Sequence, residues 1–185
     1  AKKGHLDTGL LGTSLMLDLL TKENRGDLVA GIMSQTTYPG WGFLIEKRKV
    51  TTWPETWTGW GSQIILVTGT PGAWFYEGLA GIRPDESGPG FKKIIIKPAI
   101  VGDLTWVKCG YNSIHGRIVS NWQRDGDKLT MDVTIPANTT ATVYVPAKEA
   151  AEVTESGKPA GQAESVALPK AMFTSVLISS TGKLG

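Results

Sequence analysis

The sequence is poor in the residues from which covalent cross-links and metal sites are built. Its 185 residues include one cysteine, Cys109, and two histidines, His5 and His115. A single thiol excludes an internal disulfide framework and a thiolate cluster for zinc or iron. Two histidines so far apart in the sequence do not form a metal-ligand motif. We therefore expect neither a metal nor a cofactor.

An excess of one charge and long apolar runs are also missing. The chain has 19 Lys and Arg against 17 Asp and Glu, a formal net charge of +2. This charge is too small to indicate a nucleic acid or an anionic membrane as partner. No apolar run approaches the roughly 20 residues of a membrane span, and no signal-type apolar block follows the first residues. The composition is globular and leaves the compartment open: bacterial cytoplasm, periplasm or outside.

The first half of the chain has the periodicity of helices. Six leucines crowd one segment and leave only a narrow polar stripe: Leu10, Leu11, Leu15, Leu17, Leu19 and Leu20. A helix that is apolar nearly all round is buried on most sides. Asp27 is expected to cap a second helix, and a third is expected from Thr70-Pro71 to near Gly81, with Ile82 on its apolar face. Because these helices lack neighbours, we expect the chain to be the C-terminal piece of a larger helical domain, followed by a β-domain.

The second half has the periodicity of strands. Apolar and polar residues alternate over 129–135 and 140–145, and Asp125-Gly126 predicts a hairpin turn before the first of these runs. Further strands are expected at Lys93–Lys97, Leu104–Tyr111, Arg117–Arg124 and Phe173–Ser179. Short strands at regular spacing predict an antiparallel β-sandwich, and the polar segment 147–163 predicts a loop or an excursion at a sheet edge.

A Pro/Gly-rich stretch over residues 83–90 marks the change of period. It divides the chain into a helical domain, residues 1–88, and a β-domain, residues 89–185. Within the β-domain, Cys109 alternates with Val107 and Tyr111, which predicts an inert core position on a strand face. His115 is predicted to have a structural role in a strand turn.

Tryptophans are concentrated around one carboxylate. Of seven tryptophans, five fall within 34 positions: Trp41, Trp53, Trp57, Trp60 and Trp74. Glu55 lies two positions from both Trp53 and Trp57, with threonines beside it. Aromatic walls with a few hydrogen-bonding groups suit a saccharide, and an aromatic surround raises the pKa of a carboxyl group towards a range useful for proton transfer. The structural alternative is that the tryptophans form core and Glu55 is an ordinary loop acid.

His5 and Asp7 form a second candidate pair before the first helix. Their spacing is compatible with two side chains that line a pocket. It is equally compatible with Asp7-Thr8 as a plain helix cap. The residues alone leave both interpretations open.

Four segments in unbroken order carry a resemblance to a known family. They are His5-Leu6-Asp7-Thr8-Gly9-Leu10-Leu11-Gly12-Thr13, Gln35-Thr36-Thr37-Tyr38-Pro39-Gly40-Trp41-Gly42, Thr51-Thr52-Trp53-Pro54-Glu55-Thr56-Trp57 and Trp74-Phe75-Tyr76-Glu77-Gly78-Leu79-Ala80-Gly81-Ile82-Arg83-Pro84-Asp85. The likeness continues through Pro89-Gly90-Phe91-Lys92-Lys93 and Val101-Gly102-Asp103-Leu104-Thr105-Trp106. Together they resemble the bacterial α-L-rhamnosidases of glycoside hydrolase family 78.

The resemblance implies an α+β chain: the last helices of an (α/α)6 catalytic barrel followed by an antiparallel β-sandwich. It implies inverting hydrolysis of a rhamnose-containing oligosaccharide or glycoside, in which two carboxyl groups lie roughly 6.5–9.5 Å apart. The general base matches Glu55. The general acid belongs to upstream sequence that this chain does not contain, so the chain alone is expected to be inactive.

The same resemblance places His5 and Asp7 near the rim of the pocket and assigns Trp41, Trp53 and Trp57 to its wall or to the support of that wall. Apolar helix faces that lack neighbours are expected to pack against the rest of the barrel or a second copy of the chain.

Two departures from the family pattern keep other functions open. Trp53-Pro54 replaces an apolar-Trp pair, and Ile64 and Ile65 stand where the family commonly carries Asn-His. The alternatives are a non-catalytic carbohydrate-binding or structural module, and a homologue that is inactive or acts on another deoxy sugar or a uronate. A uronate would need a basic residue near the site, and Lys47, Arg48 and Lys49 are near in sequence but are expected to be solvated.

Overall fold

The fold is α+β and divides into two compact units. The computed structural model describes residues 4–6, 8–65, 69–147, 149–162, 166–167 and 175–179. The first unit is Ala1–Leu79 with Ala99–Asp103, and the second is Ala80–Pro98 with Leu104–Gly185. The α-helices belong to the first unit, and the sheets belong to the second together with two 3-10 turns, Ala150–Glu152 and Ala160–Gln162. Among the described helices, none has both the length and the apolar character needed to cross a membrane.

The first unit is built from short helices around one core. They are α1 (Leu10–Lys22), α2 (Gly26–Met33), α3 (Trp41–Glu46) and α4 (Pro71–Trp74), which continues as a π-helical turn, Phe75–Leu79. Its core consists of Leu6, Leu17, Val29, Ile32, Trp41, Trp74 and Val101. Only one side of α1 reaches this core: Leu17 is buried and Leu20 packs beside it, while leucines on the other side of the helix face solvent.

The exposed side of α1 carries an apolar stripe. Leu11, Leu15 and Leu19 are 76%, 69% and 57% exposed. Their spacing of four residues places the three side chains on one helical face. The first unit alone therefore leaves one face of this apolar helix uncovered, in line with the expectation that its helices lack neighbours.

Two helix predictions were wrong in detail. Arg25 is the N-cap of α2, while Asp27 lies in its first turn and forms a 2.9 Å ion pair with Arg25. The third helix does not reach Gly81 or carry Ile82. It ends at Leu79, Gly81 has a φ of +74°, and Ile82 starts a strand that pairs with Ile96. Sheet pairing with a residue far along the chain overrides the local helical periodicity.

The second unit contains two main sheets and a short two-stranded ribbon. The first sheet has the order β1-β2-β6-β10-β9 and the second the order β3-β4-β5; β7 and β8 form the ribbon. The strands are β1 (Ile82–Pro84), β2 (Lys93–Ile96), β3 (Trp106–Ser113), β4 (Gly116–Asp125), β5 (Lys128–Thr134), β6 (Thr140–Tyr144), β7 (Thr154–Glu155), β8 (Lys158–Pro159), β9 (Val166–Ala167) and β10 (Ser175–Ser179). Buried residues from both sheets, among them Ile94, Ile96, Ile118 and Val143, form one core. The two sheets therefore pack face to face.

The strand predictions were confirmed, with one difference in topology. Each expected strand is present with bounds shifted by up to two residues, and Phe173 and Thr174 lie outside the described residues. The hairpin at Asp125-Gly126 joins β4 to β5, where Asp125 pairs with Lys128. However, β2 and β6 pair in parallel, so the first sheet is mixed rather than purely antiparallel. The chain passes through the whole second sheet between these strands, and such a crossover allows parallel pairing.

The division into units differs from the expected boundary between residues 88 and 89. Pairing of β1 with β2 draws residues 80–88 into the second unit. Residues 99–103 return to the first unit, where Val101 is part of the core and the Ala99 N–H donates to the Gly78 carbonyl at 2.9 Å. The segment expected as a loop or an edge excursion, 147–163, contains the ribbon β7–β8, and Val153 and Ala160 form a small core with Val145 and Ala147.

The two polar residues assigned structural roles are placed as expected. Cys109 is half-buried against the core of the second unit, and this burial raises the pKa of its thiol. His115 lies in the turn between β3 and β4, where its backbone N–H donates to Ser113 Oγ at 3.2 Å.

Candidate functional site

The loop that carries Glu55, residues Trp53–Ile65, is closed by its own backbone. The Ile65 N–H donates to the Trp53 carbonyl at 3.1 Å, and the Glu55 N–H donates to the Ser62 carbonyl at 2.8 Å. These two bonds hold the ascending and descending arms together in the manner of a hairpin. The loop therefore presents Glu55 from a fixed backbone.

Threonine hydroxyls hold the tip of this Trp53–Ile65 loop. Thr56 Oγ1 donates to the Trp60 carbonyl at 2.8 Å and accepts from the Trp60 N–H at 3.2 Å. Because the Thr56 proton is used in this way, Thr58 Oγ1, 2.8 Å away, is the donor in their shared bond. The Gly59 N–H closes a turn onto the Thr56 carbonyl at 3.0 Å. The hydroxyl groups of Thr56 and Thr58 therefore stabilise the loop.

Glu55 is anchored through one carboxylate oxygen. Oε2 accepts a hydrogen bond from the Ser62 N–H at 3.1 Å. The side chain is exposed, so the expectation that the neighbouring tryptophans shield this carboxylate from solvent was wrong for this chain. Gly61, with a φ of +91°, makes this geometry possible, because a Cβ at that position would lie 2.8 Å from Oε2. Sequence reasoning singled out neither Gly61 nor Ser62. The only available signal was a glycine in a loop beside a candidate acid.

The three tryptophans predicted to line the pocket are not equivalent. Trp41 is 3% exposed and belongs to the core, as the structural interpretation of the tryptophans expected. Trp53 and Trp57 are half-buried and pack against that core. The Trp41 and Trp57 rings meet edge to face with centroids 5.0 Å apart, and Trp57 Nε1 donates to the Thr8 carbonyl at 3.2 Å. Trp41 therefore contacts Trp57 from the side of the core.

The structure places His5 with Thr37, a partner that sequence reasoning missed. His5 Nε2 and Thr37 Oγ1 are 2.7 Å apart. Asp7 lies outside the described residues. The N-cap of α1 is Gly9, which makes no side-chain capping bond, so Thr8 is not its cap. The motif segment 5–13 thus contacts the segment 35–42 through His5 and Thr37. It also contacts the segment 51–57 through Thr8 and Trp57.

The two isoleucines at the departure from the family pattern end the same loop. Ile64 is 83% exposed, whereas Ile65 is half-buried and its backbone pairs with Trp53. The side chain of an exposed isoleucine offers no hydrogen bond, whereas the resemblance predicts a polar side chain at this position. This end of the loop is therefore apolar in this chain.

The matches to protein families change near residue 80, where the chain first passes from one unit of the fold to the other. Residues 1–79 match the model described as the bacterial alpha-L-rhamnosidase 6 hairpin glycosidase domain. Residues 81–160 match the bacterial alpha-L-rhamnosidase C-terminal domain.

Individual proteins agree with these matches. An alpha-L-rhamnosidase from Alteromonas sp. (strain LOR) is 36% identical over 154 residues, which cover 77% of this chain and 16% of that protein. An alpha-L-rhamnosidase from Streptomyces avermitilis is 32% identical over 158 residues, covering 80% of this chain and 15% of that protein. The chain therefore spans only a small part of the length of these curated relatives.

Solved structures show the same relationship. The Streptomyces avermitilis alpha-L-rhamnosidase complexed with L-rhamnose matches with a TM-score of 0.82 and 28% identity over 97% of this chain and 18% of that one. The alpha-L-rhamnosidase from Dictyoglumus thermophilum matches with a TM-score of 0.79 and 29% identity over 96% and 20%. With two successive family models and relatives that cover most of its residues, this chain belongs to the bacterial α-L-rhamnosidases, glycoside hydrolase family 78.

Proposed function

We propose that this chain is the part of an inverting α-L-rhamnosidase that carries the general base, Glu55. The observation that supports this most directly is the anchoring of Glu55 Oε2 by the Ser62 N–H within a closed loop. In this proposal the first unit contributes the last helices of an (α/α)6 barrel. The second unit is the β-sandwich that follows the barrel.

The proposed chemistry uses both oxygens of the carboxylate differently. The hydrogen bond to Oε2 fixes the group, and the other oxygen accepts a proton from the water that attacks the anomeric carbon. A second carboxyl group, supplied from outside this chain, protonates the leaving glycosidic oxygen. The C–O bond to the leaving group breaks as the new one forms on the opposite face. The sugar is released with inverted configuration.

The surrounding residues supply the sugar contacts in this proposal. Trp53 and Trp57 are half-buried, so part of each indole remains available to the apolar face of a sugar. Trp41 acts as a positioning residue through its edge contact with Trp57. His5, held against Thr37, and Asp7 contribute polar contacts at the rim. Terminal α-L-rhamnose is the proposed substrate unit, which the L-rhamnose complex of the Streptomyces avermitilis relative supports.

The exposed leucine stripe of α1 supports the proposal that further helices complete the barrel. A row formed by Leu11, Leu15 and Leu19 is costly to leave in water, at about 25 cal/mol per Å² of apolar surface. We assign this face to the remaining barrel helices of the same protein. Because the general acid is supplied with those helices, the chain alone lacks half of the catalytic pair.

A chimaera tests the assignment. This chain replaces the matching segment of the Streptomyces avermitilis relative, and hydrolysis of an aryl α-L-rhamnoside is compared with that of the parent. We expect an active chimaera in which Glu55→Gln lowers kcat by about 10²–10⁴-fold. Glu46→Gln, a change at an exposed acid at the end of α3, is the matched control and should retain activity.

A second variant separates a lost base from a damaged fold. In Glu55→Ala, azide needs no deprotonation and should attack the anomeric carbon directly, releasing the aryl alcohol with formation of an inverted glycosyl azide. Restored turnover with azide supports Glu55 as base. Full activity of Glu55→Gln would contradict the proposal.

A second function is favoured by one observation, the exposed Ile64 in place of a polar residue. It is that of a homologue that binds sugar without hydrolysing it. In the chimaera experiment this function predicts a folded protein that binds L-rhamnose and shows no turnover. Changing Ile64 and Ile65 to Asn and His would then restore activity.

A further inference from the structure

The outward face of the sheet β3-β4-β5 carries an open cleft within the second unit. Its volume is about 390 Å³, and the residues that line it include Trp106, Lys108, Asn121, Gln123, Thr130 and Asp132. Strand register places them side by side: Trp106 pairs with Gln123, Lys108 with Asn121, Gln123 with Thr130, and Asn121 with Asp132. They occupy alternate positions, so they share the face opposite to the core residues Val107, Cys109, Ile118, Met131 and Val133.

Trp106 provides a flat apolar surface in this cleft. Its side chain is 60% exposed, and Lys108 Nζ lies 6.0 Å from the ring centroid. A cation at that distance is attracted to the indole and restrains its orientation. A single exposed tryptophan is unremarkable by itself, because surfaces contain many isolated apolar groups. Trp106 differs from such isolated groups because polar side chains lie beside it in the same cleft.

The polar groups are held in place before any ligand arrives. Asn121 Oδ1 accepts from the Cys109 N–H at 3.1 Å, and Asn121 Nδ2 donates to Asp132 Oδ2 at 3.1 Å. The amide is therefore fixed in one orientation and in turn positions the carboxylate. Gln123 and Thr130 add an amide and a hydroxyl at the neighbouring register positions. Fixed polar groups lose little conformational entropy when they bind a ligand.

We propose that this face binds a neutral saccharide. The apolar C–H face of one sugar ring stacks on Trp106, and its hydroxyls bond to the Asn121–Asp132 pair and to Gln123. The cleft volume falls within the range of small-ligand sites, roughly 300–1,000 Å³. Lys108 and Asp132 contribute opposite charges, so the lining favours neither an anion nor a cation. This site does not depend on the reaction proposed for Glu55.

The test follows one indole N–H signal by two-dimensional ¹H–¹⁵N NMR of the 185-residue chain. Comparison with Trp106→Ala identifies the Trp106 signal, and the remaining indole signals of that variant report that it is folded. The probes are the methyl glycosides of L-rhamnose, D-glucose, D-galactose and L-arabinose. We expect at least one of them to shift the Trp106 signal in a saturable manner, and the glycoside that does so identifies the sugar unit.

Two variants and one control complete the test. Asn121→Ala and Asp132→Ala should each weaken the binding of that glycoside by about tenfold, as loss of a hydrogen-bonding partner predicts. Lys128→Ala, at an exposed position of β5 outside the cleft, should leave the affinity unchanged. The proposal is overturned if no glycoside shifts the Trp106 signal, or if glycerol at equal concentration shifts it as much.

Discussion

Trp57 Nε1 donates a hydrogen bond to the backbone carbonyl of Thr8, 49 positions earlier in the chain, at 3.2 Å. The bond links the loop that carries Glu55 to the segment that precedes α1. The same indole contacts Trp41 edge to face. One side chain therefore joins three segments that are separate in the sequence.

Trp57→Phe should remove this bond while retaining much of the ring contact with Trp41. The Thr8 carbonyl would lose a partner in a half-buried place, so we expect the free energy of unfolding to fall by about 1 kcal/mol. Trp57→Ala should lower it by about 3–5 kcal/mol, because a cavity is also left. Urea unfolding followed by circular dichroism measures both. The control, Trp60→Phe, changes a side chain that is 72% exposed and should alter stability by no more than about 0.5 kcal/mol.

Gly61→Ala should displace the Glu55 carboxylate. The new Cβ would meet Oε2 at 2.8 Å, and a φ of +91° is itself unfavourable for alanine. The matched control is Gly59→Ala: its φ is +89°, but the nearest atom of the facing Arg48 side chain lies 3.5 Å from the new Cβ. Both variants should lose about 1 kcal/mol of stability, and only Gly61→Ala should reduce kcat in the chimaera. Equal kcat values for the two variants would argue against a role for the anchored carboxylate.

The leucine stripe of α1 should matter only where other helices cover it. In the chain alone, changing Leu11, Leu15 and Leu19 to Gln should alter the free energy of unfolding by no more than about 0.5 kcal/mol per site. In the chimaera, even Leu15→Ala should cost about 2–5 kcal/mol, since that face is proposed to be buried there. Leu17→Ala should be destabilising in both settings, because Leu17 is only 2% exposed in this chain. Thermal unfolding of both proteins gives the comparison.

Cys109 should make stability depend on alkaline pH. Burial raises the pKa of its thiol above the ordinary value of 9.0, so the folded chain favours the neutral form. The contribution is fully present below the pKa of the unfolded chain and is lost as the pH rises through the higher folded pKa. We expect the free energy of unfolding to decline above about pH 9 and Cys109→Ala to decline less. Urea titrations between pH 7 and pH 10 test this, and identical profiles for the two proteins would contradict it.

Local sequence signals predicted most of the second unit. The alternation over 129–135 became β5, and Asp125-Gly126 became the turn between β4 and β5, because alternation and turn chemistry act between near neighbours. The parallel pairing of β2 with β6 was not foreseen. This pairing depends on where β6 is placed after the chain has formed β3, β4 and β5, and no local pattern encodes that position.

The candidate site was predictable as a set of segments and not as a set of contacts. The motif order identified Glu55 and its neighbours. The periodic apolar run, however, predicted that the third helix carries Ile82, whereas Ile82 lies in a strand and pairs with Ile96. Nor could spacing tell the core residue Trp41 from the half-buried Trp53 and Trp57. The burial of each tryptophan depends on which other segments of the chain pack against it.

By itself, the sequence determined the family, the change from helices to strands, and the choice of Glu55 as the candidate base, since residue order and short-range periodicity carry that information. Only the tertiary structure decided that Ser62 binds the Glu55 carboxylate and Gly61 leaves room for it, that His5 meets Thr37, and that Trp106 shares a cleft with Asn121 and Asp132. These relationships join residues through loop closure, packing and sheet register. Their energies come from groups brought together in space, and a linear pattern does not record them.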